Sequence, residues 1–463
     1  MSRPQGWRDR AGRRFDEVAL QSPARLAIGT FAGFIAIITG LLMLPISTAD
    51  RHVAPFADAL FTATSAVCVT GLTVVDTGLY WSDFGRVVIL IGIKVGGLGI
   101  MTLASILGLM VSRRMGLTQR MLAADQARAG GLGDVRQMLR TILIVSSGVE
   151  IAIALMLFPR FLHDGLPLIT SAWHATFYSV SAFNNAGFVP NATGIVEYAG
   201  DPWVAGPIAL GVFVGALGFP VYLNLIRAWR KPRTWSLHTK LTLVLVVILS
   251  VISAGLLALF EWNNPNSLGA ENVGTRIVTV FFASVNQRSG GFAAIDHGTF
   301  YEHTWLLEEV LMFIGGGSAG TAGGIRVTTL AVLVLAVTAE ARGRRDMEAF
   351  GKRIGTESLR QAVAVTLVGL TFVLLGSGLM LAWTRDLGWD LDRVLFQVVS
   401  AYATCGLSVL TSDQVAEMPD SVKHLTSVLM FAGRLGSVTL AAALALNKQR
   451  RVIRYPSERP LIG

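Results

Sequence analysis

The chain has 463 residues, of which 52% are hydrophobic and only 15% charged, with a formal net charge of +9 and a mean hydropathy of +0.56. Water-soluble globular proteins of this length seldom carry that balance, so the composition excludes their class and points to a polytopic membrane protein. Two cysteines, Cys68 and Cys405, are too few for a disulfide framework, and neither a bridge nor a metal site is inferred from them.

An Arg-rich leader, residues 1–20, opens the chain. It reads as retained, because the apolar run after it is too long for a signal-peptide core and no small-residue cleavage site follows. Crossing about 30 Å of hydrocarbon takes roughly 20 helical residues. Runs of that order cover residues 26–46, 84–109, 141–161, 204–225, 241–260, 307–337, 363–383 and 422–446. Cations gather in the leader, in 113–140, 227–240 and 342–360, and in the tail KQRRVIR; the intervening segments 48–58, 163–171, 261–275 and 385–392 hold few cations and several acids. The positive-inside rule then sets both termini and three loops in the cytoplasm. Topology thereby accounts for the excess charge without nucleic acid as a partner.

Between the runs a short phrase recurs: SAVCVTGL at 65–72, SAFNNAGF at 181–188, SVNQRSGGF at 284–292 and SAYATCGL at 400–407. Each ends in glycine followed by Leu or Phe, at Gly71, Gly187, Gly291 and Gly406. The third copy is one residue longer, with Ser284 seven places before its glycine instead of six. A second phrase follows each copy: GGLG at 96–99, GALG at 215–218, GRLG at 433–436, and in the third case the longer GGGSAGTAGGIRVTT at 315–329. One supersecondary unit repeated is the physical reading of such self-similarity. The predicted fold is an all-α membrane protein of four helix–pore segment–helix repeats in one chain, with eight transmembrane helices and four re-entrant pore helices around a pseudo-four-fold cation pore. Its units are residues 21–115, 136–230, 238–340 and 358–447, followed by a cytoplasmic tail at 448–463.

About a dozen residues before each phrase predict a helix too short to span the bilayer. Non-helical backbone survives at membrane depth only when buried in protein or lining water, so the four phrases are expected to meet at one axis. Glycine there accepts positive φ and leaves the lumen open, and carbonyl rings can replace the hydration shell of a monovalent cation. Each short helix would aim its partly negative C-terminus at the same point. The predicted filter comprises Gly71, Gly187, Gly291 and Gly406, with further carbonyls from Val69, Thr70, Asn185, Ala186, Ser289, Gly290, Thr404 and Cys405. Packing glycines are the bland alternative, and four in matching context argue against it.

With these motifs, residues 20–450 resemble the Trk/Ktr/HKT superfamily of potassium transporters, most closely the bacterial Ktr membrane subunit, whose length lacks an additional N-terminal helix pair. The four glycine phrases, GTAGGIRVTT and GRLG carry the resemblance. It implies channel-like potassium uptake by a homodimer in the cell membrane, each protomer holding its own pore, gated by a cytoplasmic ring of nucleotide-binding regulatory subunits. Potassium is then cargo, any nucleotide sits on the partner, no cofactor is tightly bound, and sodium activation stays open. Symport with sodium or protons is the alternative. In some members of the superfamily a serine at the first filter position accompanies sodium preference; Gly71 favours potassium here.

Glycine costs about 1 kcal/mol against alanine inside a helix, so GGGSAGTAGG should unwind. The resemblance supports a mobile gate beneath the filter comprising Gly315, Gly316, Gly317, Ser318, Ala319, Gly320, Thr321, Ala322, Gly323 and Gly324, with Ser318 and Thr321 able to hold it shut. Arg434, mid-span, either raises a barrier to cations or pairs with that loop, and the resemblance reads it as part of the gate. Lys94 stands where the family usually has glutamine; it lines the cavity or faces an acid such as Glu150. Asp76 and Asp296, five residues past their glycines, concentrate cations at the outer mouth or cap local turns. Arg288 is expected to anchor the third segment by hydrogen bonds. Neither a Ser/His/Asp nor a metal constellation suggests an enzyme, and no Walker or dinucleotide motif is present.

Overall fold

The computed structural model describes residues 23–113 and 132–446. The leader, the tail and most of the basic segment 113–140 lie outside the described residues. Helices of ten residues or more make up most of the rest. In chain order they are α1 (Pro23–Leu42), α2 (Phe56–Val67), α3 (Asp83–Arg113), α4 (Leu132–His163), α5 (Leu168–Asn184), α6 (Pro202–Leu217), α7 (Phe219–Ala228), α8 (Leu237–Glu261), α9 (Val273–Asn286), α10 (Glu302–Ile314), α11 (Val327–Ala341), α12 (Thr356–Trp383), α13 (Leu391–Tyr402) and α14 (Asp420–Leu446).

The long helices are apolar on the outside. On α8, Val251 and Leu259 are 66% and 73% exposed while Thr242 and Glu261 on the inner side are fully buried. That inverts the pattern of a soluble protein and suits a hydrocarbon solvent. Among the described residues four helices are long and apolar enough to cross a membrane, within 83–103, 139–163, 237–261 and 356–383, and the pair α6–α7 makes a fifth if taken as one span.

Two predicted runs are not continuous helices. The run 204–225 bends by 97° between α6 and α7. Gly218 at the break has φ +93°, outside the helical region, and Pro220 after it lacks the N–H a continuing helix would need. The run 307–337 is interrupted after Ile314 and resumes at Val327, because the glycine-rich stretch between them unwinds. A third departure concerns the purely helical expectation: Met347–Ala349 (β1) and Lys352–Ile354 (β2) pair antiparallel, with Met347 opposite Ile354. Phe350 and Gly351 form the two-residue turn with φ of 50° and 70°, the positive-φ geometry that tight hairpins demand.

The short helices α2, α5, α9 and α13 sit inside. α2, α5 and α13 pack against the helices on either side in sequence and α9 against α8, and each also packs on one helix from further along or back: α5 on α3, α9 on α6, α13 on α10, and α2 on α14, near the other end of the chain. The packing therefore closes on itself. At the closure Lys423 Nζ of α14 reaches Asp58 Oδ1 in the first turn of α2 at 2.7 Å.

Candidate functional site

Each short helix is followed by a link of a few residues that carries one of the predicted glycines. In three links the residue two before the glycine is left-handed: Val69 (φ 55°), Asn185 (φ 58°) and Thr404 (φ 48°). Asparagine tolerates this region, whereas for the β-branched Val69 and Thr404 it is strained by about 1–2 kcal/mol. The glycines follow at φ 95° (Gly71), 69° (Gly187), 73° (Gly291) and 97° (Gly406). The third link turns differently, Ser289 N and Gly290 N both donating to Asn286 O at 3.1 and 2.7 Å, which absorbs the extra residue seen in its phrase.

The four links come together. A β-carbon on Gly71 would overlap the carbonyl oxygen of Ala186; on Gly187 it would lie 2.7 Å from Gly291 Cα; on Gly291, 2.6 Å from Cys405 O; on Gly406 it would overlap Thr70 O. First meets second, second meets third, third meets fourth, and fourth meets first. The Gly291 position also lies 3.4 Å from Thr70 O of the first link, so the ring is narrow. Val69, Thr70, Asn185, Ala186, Ser289, Gly290, Thr404 and Cys405 are all buried in the same assembly.

Side chains absent from the predicted set hold the links. Ser65 Oγ accepts from Gly71 N at 3.1 Å, Ser400 Oγ accepts from Gly406 N at 3.2 Å, and Ser181 Oγ donates to Phe188 O at 2.8 Å. The signal was available, since each serine is the first letter of its phrase. Ser284 breaks the pattern by donating to Phe281 O, while Ser289 Oγ donates across to Thr404 O at 3.4 Å. Arg288 points away from the ring and donates to Val246 O and Ser250 Oγ of α8 at 3.2 and 2.7 Å, the anchoring role expected of it. The second phrase acquires a reason too. A β-carbon on Gly96, Gly215 or Gly433 would overlap the carbonyl of Val67, Phe183 or Tyr402, at the C-termini of α2, α5 and α13.

Residues 315–326 form a compact loop packed against the links. Positive φ at Gly315, Ala319, Gly324 and Arg326 lets it fold on itself, with Ile325 N and Arg326 N bonded to Phe313 O and Ile314 O at 2.9 Å each. It docks into the α6–α7 break. Gly317 N donates to Ala216 O at 2.8 Å, Thr321 N to Gly215 O at 3.2 Å, and Phe219 N to Ala319 O at 3.2 Å. The loop thus satisfies carbonyls that the broken helix leaves without intrahelical partners. It also touches the links: Thr321 Oγ1 accepts from Asn185 Nδ2 at 2.7 Å and donates to Phe183 O at 3.1 Å, and Gly323 N donates to Ser289 Oγ at 3.0 Å. Gly323 leaves no room for a β-carbon against Ala403 O; one on Gly316 would press on Ala322 Cβ, and one on Gly320 would lie 2.8 Å from Ala216 O. Ser318 Oγ is 2.7 Å from Thr328 Oγ1 of α11.

Arg434 is fully buried on α14 and donates through Nη1 to Thr321 O, so it pairs with the loop; its Nε and Nη2 find no hydrogen-bond partner among the described residues. Arg326 donates to Ala322 O and, at 3.3 Å, to Gly317 O. Two cations thus bind carbonyls of one loop. Lys94 Nζ meets Glu150 Oε2 at 2.5 Å, the acidic partner named from the sequence, and Asn184 Nδ2 donates to the other oxygen at 3.0 Å. Asp76 accepts from Gly78 N and Leu79 N at 2.8 and 2.9 Å, and Asp296 from Gly298 N at 2.8 Å, so both cap local turns.

Comparison with known proteins finds similarity over nearly the whole chain. The family model for TrkH, described as cation transport protein, matches residues 17–454. Ktr system potassium uptake protein B of Bacillus subtilis is 35% identical, across 96% of this chain and 98% of its own length. The protein of the same name from Vibrio alginolyticus is 32% identical over 95% and 94%. Potassium/sodium uptake protein NtpJ of Enterococcus hirae is 29% identical over 96% and 97%. The crystal structure of the potassium transporter TrkH from Vibrio parahaemolyticus superposes with a TM-score of 0.62 over 89% of this chain and 84% of that one, at 17% identity, which establishes a shared fold. The chain is a membrane protein belonging to the TrkH family of cation transport proteins.

Proposed function

We propose that the chain takes up potassium through a channel-like pore whose selectivity filter is the ring of Gly71, Gly187, Gly291 and Gly406 with the adjoining carbonyls. The observation that carries this reading is the cyclic approach of the four links, in which glycine is the only residue that fits and backbone oxygens are the atoms at hand. Such oxygens can replace the water around a dehydrated alkali ion. Four helix–link–helix repeats then surround one pathway. The loop 315–324, tied to Asn185 through Thr321 and to α14 through Arg434, is the gate in its seated position, a reading supported by its contact with the second and third links. Basic loops put both termini in the cytoplasm. The Ktr relatives' names speak of a Ktr system, which supports a separate partner; the homodimeric assembly and the cytoplasmic nucleotide-binding ring that moves the gate are assigned on the family resemblance.

The test is uptake by the purified protein in vesicles, comparing potassium, rubidium and sodium. Potassium and rubidium should enter in preference to sodium, and equal entry of all three overturns the filter. The Enterococcus relative's name, which includes sodium, favours one second reading, coupled or sodium-activated transport. Potassium flux that stops when external sodium and the proton gradient are removed would replace the channel with a symporter.

A further inference from the structure

Several fully buried polar side chains gather behind the third link with no task in the reading above. Glu308, on α10, is one of them. Its Oε1 accepts from Gln287 Nε2 at 2.8 Å, and its two oxygens lie 2.9 and 3.0 Å from His297 Nδ1. Gln287 is the first residue after α9, where the third link begins. Its Oε1 accepts from Ser253 Oγ of α8 at 2.5 Å, and its backbone carbonyl lies 3.5 Å from Cys405 Sγ, in the fourth link. His297 is itself held, its carbonyl accepting from Trp305 Nε1 at 2.7 Å. One glutamine therefore joins α8, α9, α10 and two of the four links.

A carboxylate in this place is costly. Removing it from water costs several kcal/mol, and it lies near the C-terminus of α9, where the helix dipole disfavours negative charge. Apolar residues of similar volume often stabilise such a site as well or better, so folding alone does not explain it. What the carboxylate adds is direction. Charge-assisted hydrogen bonds are roughly twice as strong as neutral ones. An amide that accepts from Ser253 while donating to Glu308 has a single satisfied orientation. The second link has a counterpart in Asn184, at the end of α5, which donates to Glu150 at 3.0 Å.

Resting on the filter reading of the preceding subsection, we propose that Glu308 is a positioning residue for ion discrimination. Acting through Gln287, with His297 as its second donor, it fixes the third link against the fourth.

The experiment measures potassium and sodium uptake by the full chain in vesicles for the parent, Glu308→Ala, Gln287→Met and the double variant. Each single change should lower the preference for potassium over sodium by about tenfold, the scale of one lost buried hydrogen bond to a charged group. The double variant should lose no more than either alone, because both changes cut one connection. Parental preference in the single variants overturns the inference while leaving the filter intact, and so do losses that multiply in the double variant. Should Glu308→Ala fail to fold, Gln287→Met decides, since it leaves the Glu308–His297 pair in place; a lower melting temperature with unchanged ion preference would show a merely structural brace. A parent that does not prefer potassium overturns the filter reading and this inference with it.

Discussion

Replacing Thr321 by valine isolates the contact that seats the loop. The two side chains have nearly the same shape, so the change removes a hydroxyl and little else. That hydroxyl accepts from Asn185 Nδ2 at 2.7 Å and donates to Phe183 O at 3.1 Å. Both partners are buried, and Asn185 Nδ2 keeps only a longer contact to Phe183 O at 3.4 Å. A buried group left unsatisfied costs about 1–3 kcal/mol. The cost falls on the seated loop alone, because a displaced loop would leave Asn185 facing a cavity where water can bond it. The seated-to-displaced ratio should therefore fall by about 5- to 150-fold. If the seated loop blocks the path, potassium uptake by vesicles holding Thr321→Val should rise in the absence of any regulatory partner, by a factor bounded by that ratio. Arg434 still donates to the Thr321 carbonyl, which valine retains, so the loop is weakened and not released. Uptake equal to or below that of the parent, in protein that folds normally, would refute the assignment of this loop as the gate.

Three further outcomes can be checked. Gly291→Ser places a side chain where a β-carbon already lies 2.6 Å from Cys405 O at a φ of 73°; the same uptake assay should show weaker discrimination between potassium and sodium, and an unchanged ratio would count against the ring. Lys94→Met leaves Glu150 buried with only Asn184 to bond it, so the variant should lose ~2–4 kcal/mol of stability. Adding Glu150→Gln should restore most of that in a thermal unfolding scan. Gly218→Ala forces a side chain into φ +93° and onto Ser318 O, and by disturbing the loop's dock it should raise unstimulated uptake or lower the melting temperature; a variant unchanged in both would mean that the break does not hold the loop.

The links were legible because the chain writes them four times, each with a glycine where positive φ coincides with a neighbouring link's backbone that leaves no room for a side chain. Ser65 and Ser400 recur with the glycines as the first letters of their phrases, but the bond each makes to a backbone N–H six residues on comes from how the link folds and not from the recurrence itself. Glu308 and Gln287 were hidden for a related reason: their contact depends on how α9 and α10 pack, which no local pattern encodes. The unwinding of 315–324 was foreseeable from its glycine content, but the bend at Gly218 was not, because an apolar run averages over Gly-Phe-Pro. Those two features are one device. A helix broken at Gly218 exposes the carbonyls of Gly215 and Ala216 at membrane depth, a cost of several kcal/mol if nothing bonds them. The unwound loop presents N–H groups with the same need, and Gly317 and Thr321 deliver them. Each irregularity is tolerable only while the other is docked against it, so moving the loop must either re-form α6–α7 or admit water to both. On the gate reading proposed above, that coupling favours a discrete seated state over a flexible plug, as a gate with two positions requires.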